Sequence, residues 1–136
     1  EDSSTVFKET AKFVVEACID LPRFAISTPF PGTPLYARLE KEGRILTRNW
    51  ELYDGQHVVF QPANMSVEDL KIGHEAAWRH AYSYTSMFRR IAGSRIQIPI
   101  SIIANMGYRY YAHNLHRFYT CDWIIGARPD RTLGAA

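Results

Sequence analysis

The sequence predicts an α+β, helix-rich chain. Three observations predict it. Long stretches carry apolar residues at helical spacing. Only two short runs, Phe24–Ser27 and His57–Gln61, are strand-like. Between the first of these and a capped helix lies the rigid corner Thr28-Pro29-Phe30-Pro31-Gly32-Thr33-Pro34-Leu35. Each proline there fixes φ and removes a backbone donor, and Gly32 admits φ > 0. Pro31-Gly32 suits the central pair of a type II turn.

The elements follow in order. Ser4 is expected to cap a first helix running to about Cys18, with Phe7, Ala11, Val14 and Cys18 as its apolar face. Ile19-Asp20-Leu21-Pro22 ends it, because the residue before a proline avoids helix. The strand Phe24–Ser27 and the corner come next. Thr33 caps the following helix, Pro34 takes its first position, and Gly43 closes it after Glu42. Arg44–Gln56 is irregular but holds Trp50, Leu52 and Tyr53 before the turn pair Asp54-Gly55. A loop with such aromatics packs down on something. The strand His57–Gln61 stops at Pro62. Ser66, with Asp69 three residues on, opens the longest helix, expected to reach Ala92. Leu70, His74, Ala77, Ala81, Tyr84, Phe88 and Ile91 form one seam along it. A last helix starts near Pro99, with Ile100, Ala104, Gly107, Tyr111, Leu115 and Phe118 as its apolar stripe. The two are expected to pack as a hairpin, with Gly107 permitting close approach. The residues after Trp123 read as a loose tail.

The composition narrows the function classes. The chain has 136 residues, 46% of them hydrophobic and 22% charged, which fits one folded domain. A net charge of +2 is too mild to argue for nucleic acid. No apolar run approaches the ~20 residues of a spanning helix. Cys18 and Cys121 are too few for a disulfide framework and are expected as reduced thiols in a cytoplasmic protein. The chain leads almost at once into a helix with no initiating Met, so it reads as a piece of a longer protein.

Several constellations have both a functional and a plain structural reading. The carboxylates are scattered and mark no acid–base pair, so no catalytic residue is assigned. His113-x-x-His116 with Cys121 falls short of a zinc ligand set, and no metal ligand is assigned. His57 beside the Asp54-Gly55 turn suits a general acid or base, or a substrate contact; the plainer reading is a hydrogen bond to the turn. His74 lies on the apolar seam and is read as buried and satisfied. Arg109, His113, His116 and Arg117, with Tyr108, Tyr110, Tyr119 and Trp123 around them, fit a helix on a membrane surface. The preferred reading packs that helix on the rest of a larger protein.

The corner, then Gly43-Arg44-Ile45, Trp50-Glu51-Leu52-Tyr53-Asp54, His57-Val58-Val59-Phe60-Gln61-Pro62 and Met65-Ser66, resembles the C-terminal part of cobalamin-binding radical-SAM proteins. That group includes hopanoid methylases and the anaerobic magnesium-protoporphyrin monomethyl ester cyclase. Asn105-Met106-Gly107-Tyr108-Arg109-Tyr110-Tyr111 resembles its distal tail. The resemblance implies that residues 1–43 are the last helix-strand-helix of a partial (β/α) barrel. Residues 44–122 would be an accessory region with a short strand and a helical hairpin, and 123–136 the tail. It places the corner at the barrel's carboxyl-end face. Thr28, Pro29 and Phe30 would line the pocket for S-adenosylmethionine or substrate, with Tyr53 and His57 as further substrate contacts.

The family's cluster motif is C-x-x-x-C-x-x-C, and this chain lacks it. The fragment is therefore expected to bind no cofactor and to be inert alone. Its parent would hold a [4Fe-4S] cluster and S-adenosylmethionine, with cobalamin as a third candidate. The parent would methylate or oxidatively cyclise a large apolar small molecule. The partners implied are the remainder of the barrel and, through surface exposed in isolation, a second copy. The rival class is a non-catalytic helical interaction or dimerisation module.

Overall fold

A computed structural model describes residues 4–93 and 98–115. Five α-helices make up its regular structure: α1 (Val6–Glu16), α2 (Pro34–Lys41), α3 (Val67–Ala81), α4 (Tyr84–Gly93) and α5 (Ile98–His113). A short 3-10 turn occupies Trp50–Leu52.

Most of the local rules legible in the sequence operate here, although α1 is preceded by Thr5 rather than Ser4 at its N-cap, with no side-chain capping bond. Helix α1 stops at Glu16, two residues before Cys18. Cys18 takes φ 50°, with its N–H on Val15 O and that of Ile19 on Val14 O. This is the paired C-terminal closure usually built on glycine. Gly43, at φ 67°, closes α2 in the same way through bonds to Glu40 O and Leu39 O. Thr33 Oγ1 accepts from Tyr36 N at 3.2 Å and caps α2. Gly32 at φ 81° and the bond from Thr33 N to Phe30 O fit the type II turn. Ser66 and Asp69 form the reciprocal capping box of α3.

Four expectations differ from the structure. First, the helix expected from Ser66 to Ala92 breaks at Tyr82-Ser83 into α3 and α4. Ser83 Oγ receives Ser86 N and caps the new helix. The carbonyls released at the end of α3 are taken from afar: Arg90 donates to Ala81 O and Arg109 to Tyr82 O. Second, the break rotates the seam. Leu70, His74, Ala77 and Ala81 face inward, but Tyr84 and Phe88 point to solvent while Ser86, Met87 and Arg90 turn in.

Third, the first half of α5 turns a different face inward from the expected one: Ser101 and Asn105 are buried and Ile100 is exposed, whereas farther on Tyr111 and Leu115 pack on the core as expected. Gly107 has open space where a Cβ would stand, so it mediates no close approach. The glycines that do are Gly73 on α3, whose Cβ would collide with the Phe7 ring of α1, and Gly93 on α4, whose Cβ would collide with Cys18 Sγ. Fourth, Phe24–Ser27 and His57–Gln61 are extended but form no strand among the described residues. A strand needs a ladder partner. Ile26 N–H finds only Gly55 O, and Ile45 and Phe60 form an isolated antiparallel bridge. The helix-rich half of the fold class holds. Phe118, His116, Arg117, Tyr119, Cys121 and Trp123 lie outside the described residues.

Helices α1, α3, α4 and α5 pack around Trp78, which is fully buried. Phe24, Tyr82, Tyr108 and Tyr111 all set their rings within 6.4 Å of the Trp78 ring, centre to centre. A second, smaller core of Tyr36, Tyr53 and Val59, with Ile45 and Leu52 against it, ties α2 to the loop after it. The extended segment Phe24–Ser27 runs between the two cores.

Candidate functional site

The extended segment alternates as a strand would: Phe24 and Ile26 turn inward, Ala25 and Ser27 outward. Along it opens a cleft of about 570 Å³. One side comes from α1 and α3, including Phe7, Leu70 and His74. The other comes from Leu35 and Arg38 of α2, and Phe60 to Met65 close the end. The walls are mainly apolar. Three arginines, Arg23, Arg38 and Arg44, and one carboxylate residue, Glu42, belong to the lining. Arg44 is neutralised by Glu42 at 2.6 Å and also donates to Gln61 O. Arg23 and Arg38 have no carboxylate within salt-bridge distance among the described residues. The cleft therefore offers an apolar body and a cationic edge, a combination suited to an amphipathic acid.

His74 sits in the wall of the cleft, where its burial matches the plain reading. Trp78 Nε1 donates to its Nε2 at 3.2 Å, so that nitrogen is the acceptor and the proton lies on Nδ1. Phe24 O, 3.4 Å from the same nitrogen, is then a packing contact rather than a hydrogen-bond partner. Burial holds the imidazole below its ordinary pKa of 6.5. The folded ring thus refuses a proton that the unfolded chain accepts. Stability is unaffected by His74 above about pH 6.5 and falls as pH drops below it, until the folded ring itself titrates. Urea midpoints taken at pH 7 and pH 5 are expected to converge in His74→Gln relative to the unmodified chain. Parallel pH profiles for the two would exclude His74 as the source.

A second feature is the turn Asp54–His57. Both carboxylate oxygens of Asp54 lie 3.0 Å from His57 Nδ1, and Oδ1 also accepts from the backbone N–H of Gln56 and His57. Burial pushes the Asp54 carboxyl upward, but these hydrogen bonds outweigh it and hold its pKa below the ordinary value. With Nδ1 engaged by the carboxylate, Nε2 is the nitrogen left for other work. It is buried and has no hydrogen-bond partner among the described residues. An orphaned buried polar atom is costly in a purely structural turn. Asp54, with its neighbour Gly55 at φ 79° and docked on Ala25 and Ile26, therefore aims His57 rather than merely ending a strand.

The sequence-assigned residues are distributed as follows. Ser27 lines the cleft. Thr28 is next to it and donates its hydroxyl to Ile26 O at 3.1 Å. Pro29 is buried beneath the corner and Phe30 projects into solvent. Tyr53 is buried in the smaller core, its hydroxyl donating to Thr47 O at 2.6 Å, and burial first, then Tyr36 nearby, push its pKa up to about 12. The bond from Ile26 N to Gly55 O brings the corner strand and the His57 turn together. Arg23 and Arg38 of the cleft were not singled out in the sequence; they line one cavity with His74 only in the folded chain.

Among the described residues no group of three His, Cys, Asp or Glu side chains stands ready for a metal ion. The chain's two cysteines do not fit an iron-sulfur cluster that takes three thiolates.

Comparison with known proteins bears on this arrangement. Residues 33–131 match the model of a domain of unknown function, DUF4070. Bacteriochlorophyllide d C-12(1)-methyltransferase of Chlorobaculum tepidum is 31% identical over 93 residues, 68% of this chain and 20% of that protein. Bacteriochlorophyllide d C-8(2)-methyltransferase of the same organism is 38% identical over 53 residues, 39% of this chain and 12% of that protein. The chain thus spans a fifth or less of the length of these relatives. No solved structure matches it significantly. The matched region takes in the end of the corner, the Asp54–His57 turn and all of α2 to α5. The chain belongs to the DUF4070 family, found in B12-binding radical-SAM proteins, whose C-terminal part its motifs resemble.

Proposed function

We propose that this chain closes one side of a radical-SAM barrel and supplies a wall of the pocket for a large apolar substrate, which the parent protein methylates. The observation that carries the proposal is the cleft along Phe24–Ser27: apolar walls with the cationic edge of Arg23 and Arg38. The relatives named for methylating bacteriochlorophyllide d support the substrate class, a flat macrocycle with an acidic edge. Oxidative cyclisation of a similar macrocycle is the alternative outcome of the same radical chemistry. The parent's cluster would supply reductive cleavage of S-adenosylmethionine from residues outside this chain. The chain alone, with two cysteines, would stay inert.

In this reading the residues divide the work. Thr28, Pro29 and Phe30 stand at the carboxyl end of the extended segment. They would border the S-adenosylmethionine site, with Pro29 holding the corner rigid and Phe30 offering its exposed ring. His57, aimed by Asp54, would place Nε2 against a polar group of the substrate. Tyr53, its hydroxyl already engaged, would support that turn from below.

The test uses the full-length protein with its cluster reconstituted. Ser27→Trp fills the cleft from a solvent-facing position. Transfer to a bacteriochlorophyllide acceptor is expected to fall at least tenfold, while formation of 5′-deoxyadenosine without acceptor persists. Unchanged transfer would remove the cleft from the substrate path.

A further inference from the structure

The reading of His74 as buried and satisfied holds for one of its two nitrogens. The side chain is 7% exposed and lies in the wall of the cleft. Nε2 accepts from Trp78 Nε1, and an indole nitrogen can only donate, so the proton of the neutral ring is fixed on Nδ1. Nδ1 has no hydrogen-bond partner among the described residues, yet it is not sealed from solvent as His57 Nε2 is. It therefore opens on the cleft. Burial keeps the imidazole below its ordinary pKa, so the ring is neutral at pH 7. The wall thus presents an uncharged N–H whose direction is set by the fully buried Trp78 behind it.

This N–H and the arginines of the same cleft suit different groups. Arg23 and Arg38 carry charge and suit a carboxylate. A neutral donor set among Phe7, Leu70 and Ala77 cannot neutralise a carboxylate, whose burial there would be costly. Nδ1–H donates and cannot accept. A ketone or ester carbonyl is satisfied by it, whereas a hydroxyl would still have its own proton to place. An apolar molecule lacking such an acceptor would leave the N–H dry and unpaired. Chlorophyllide-type macrocycles carry a ketone on the ring system. We propose that His74 Nδ1–H donates to the ring ketone of the macrocycle and so fixes which edge of it faces α3. His74 is then a specificity-determining residue of the pocket. The inference rests on the cleft being the substrate pocket and adds the group that the pocket recognises.

The experiment uses the full-length protein with bacteriochlorophyllide d and with the same compound after reduction of its ring ketone to the alcohol. Resonance Raman spectra of the bound compound are expected to place the ketone stretch below its frequency in a solvent without hydrogen-bond donors. The reduced compound is expected to bind about tenfold more weakly. In His74→Phe the stretch is expected to return to the solvent value and the two compounds to bind alike. Trp78→Phe repeats the test with the histidine kept. Phe24 O, 3.4 Å from Nε2, then takes the ring proton, and Nδ1 becomes an acceptor. The ketone band is expected to move as it does in His74→Phe. A merely structural role for His74 moves the band in neither variant. The proposal is overturned by a ketone stretch at the solvent value in the unmodified protein, by a band that neither variant moves, or by equal binding of the two compounds. Ser27→Trp separates this failure from failure of the pocket itself. If it blocks both compounds while the band test fails, the pocket stands and His74 does not recognise the ketone. If both compounds bind to Ser27→Trp unchanged, or neither binds the unmodified protein, the pocket reading falls and this inference falls with it.

Discussion

Arg90→Met is expected to cost about 3–5 kcal/mol of folding stability, because it leaves several buried acceptors without donors at once. The guanidinium is fully buried and lies where the ends of α1 and α3 meet the middle of α5. One nitrogen donates to Ile19 O and Asp20 O after α1, at 3.0 and 2.7 Å. The other donates to Ala81 O at the end of α3 and to Asn105 Oδ1 on α5, at 2.8 and 3.0 Å. The Tyr82 ring lies 5.0 Å from the guanidinium carbon. Methionine fills similar volume and donates nothing. Lysine keeps the charge but cannot reach four acceptors in fixed directions, so Arg90→Lys is expected to recover less than half of the loss. Urea unfolding of the three proteins checks this. A methionine variant within 1 kcal/mol of the original would mean that water reaches these carbonyls.

Trp78→Ala is expected to cost a similar amount, about 3–5 kcal/mol, through a different cause. The indole is the common neighbour of Phe24, Tyr82, Tyr108 and Tyr111, with Tyr82 and Tyr108 stacked nearly parallel to it. Removing it leaves a cavity lined by rings that cannot collapse into it together. It also strips His74 Nε2 of its donor. Trp78→Phe keeps most of the packing and loses only that hydrogen bond, so about 1–2 kcal/mol is expected. Near-ultraviolet circular dichroism with urea midpoints separates the two. If the phenylalanine variant were as unstable as the alanine one, the hydrogen bond rather than the stack would be the dominant contribution.

The two residues differ in how far the sequence announces them. Trp78 stands beside the seam residue Ala77, and an aromatic at that position of an amphipathic helix is a plain core candidate. Arg90 has the opposite appearance. It follows Arg89 in a helix expected to be continuous, where the seam would put it on the solvent side. Only the break at Tyr82-Ser83 rotates it inward. The break itself leaves a weak mark, Ser83-x-x-Ser86, easily overlooked inside a long apolar period. The same holds at the site. The Asp54-Gly55 turn and His57 are adjacent in sequence, so their pairing was readable from spacing. That Nε2 ends up buried with no partner among the described residues depends on what packs over it. Arg23 and Arg38 share a cleft with His74 only because the folded chain sets α2 and the extended segment beside α3.

Where a few neighbouring residues decide the outcome, the sequence was sufficient by itself. The type II turn at Pro31-Gly32, the caps at Thr33 and Ser66, the closure at Gly43 and the family resemblance carried by the corner motifs all rest on local chemistry or on ordered residue identity. The tertiary structure alone decided where the long helix breaks, which face of α5 turns inward, and whether the extended segments become strands. Each of those outcomes depends on donors and apolar surface supplied from distant positions. A carbonyl released at Ala81 or Tyr82 is tolerable only when Arg90 and Arg109 arrive to take it, and local periodicity contains no record of their arrival.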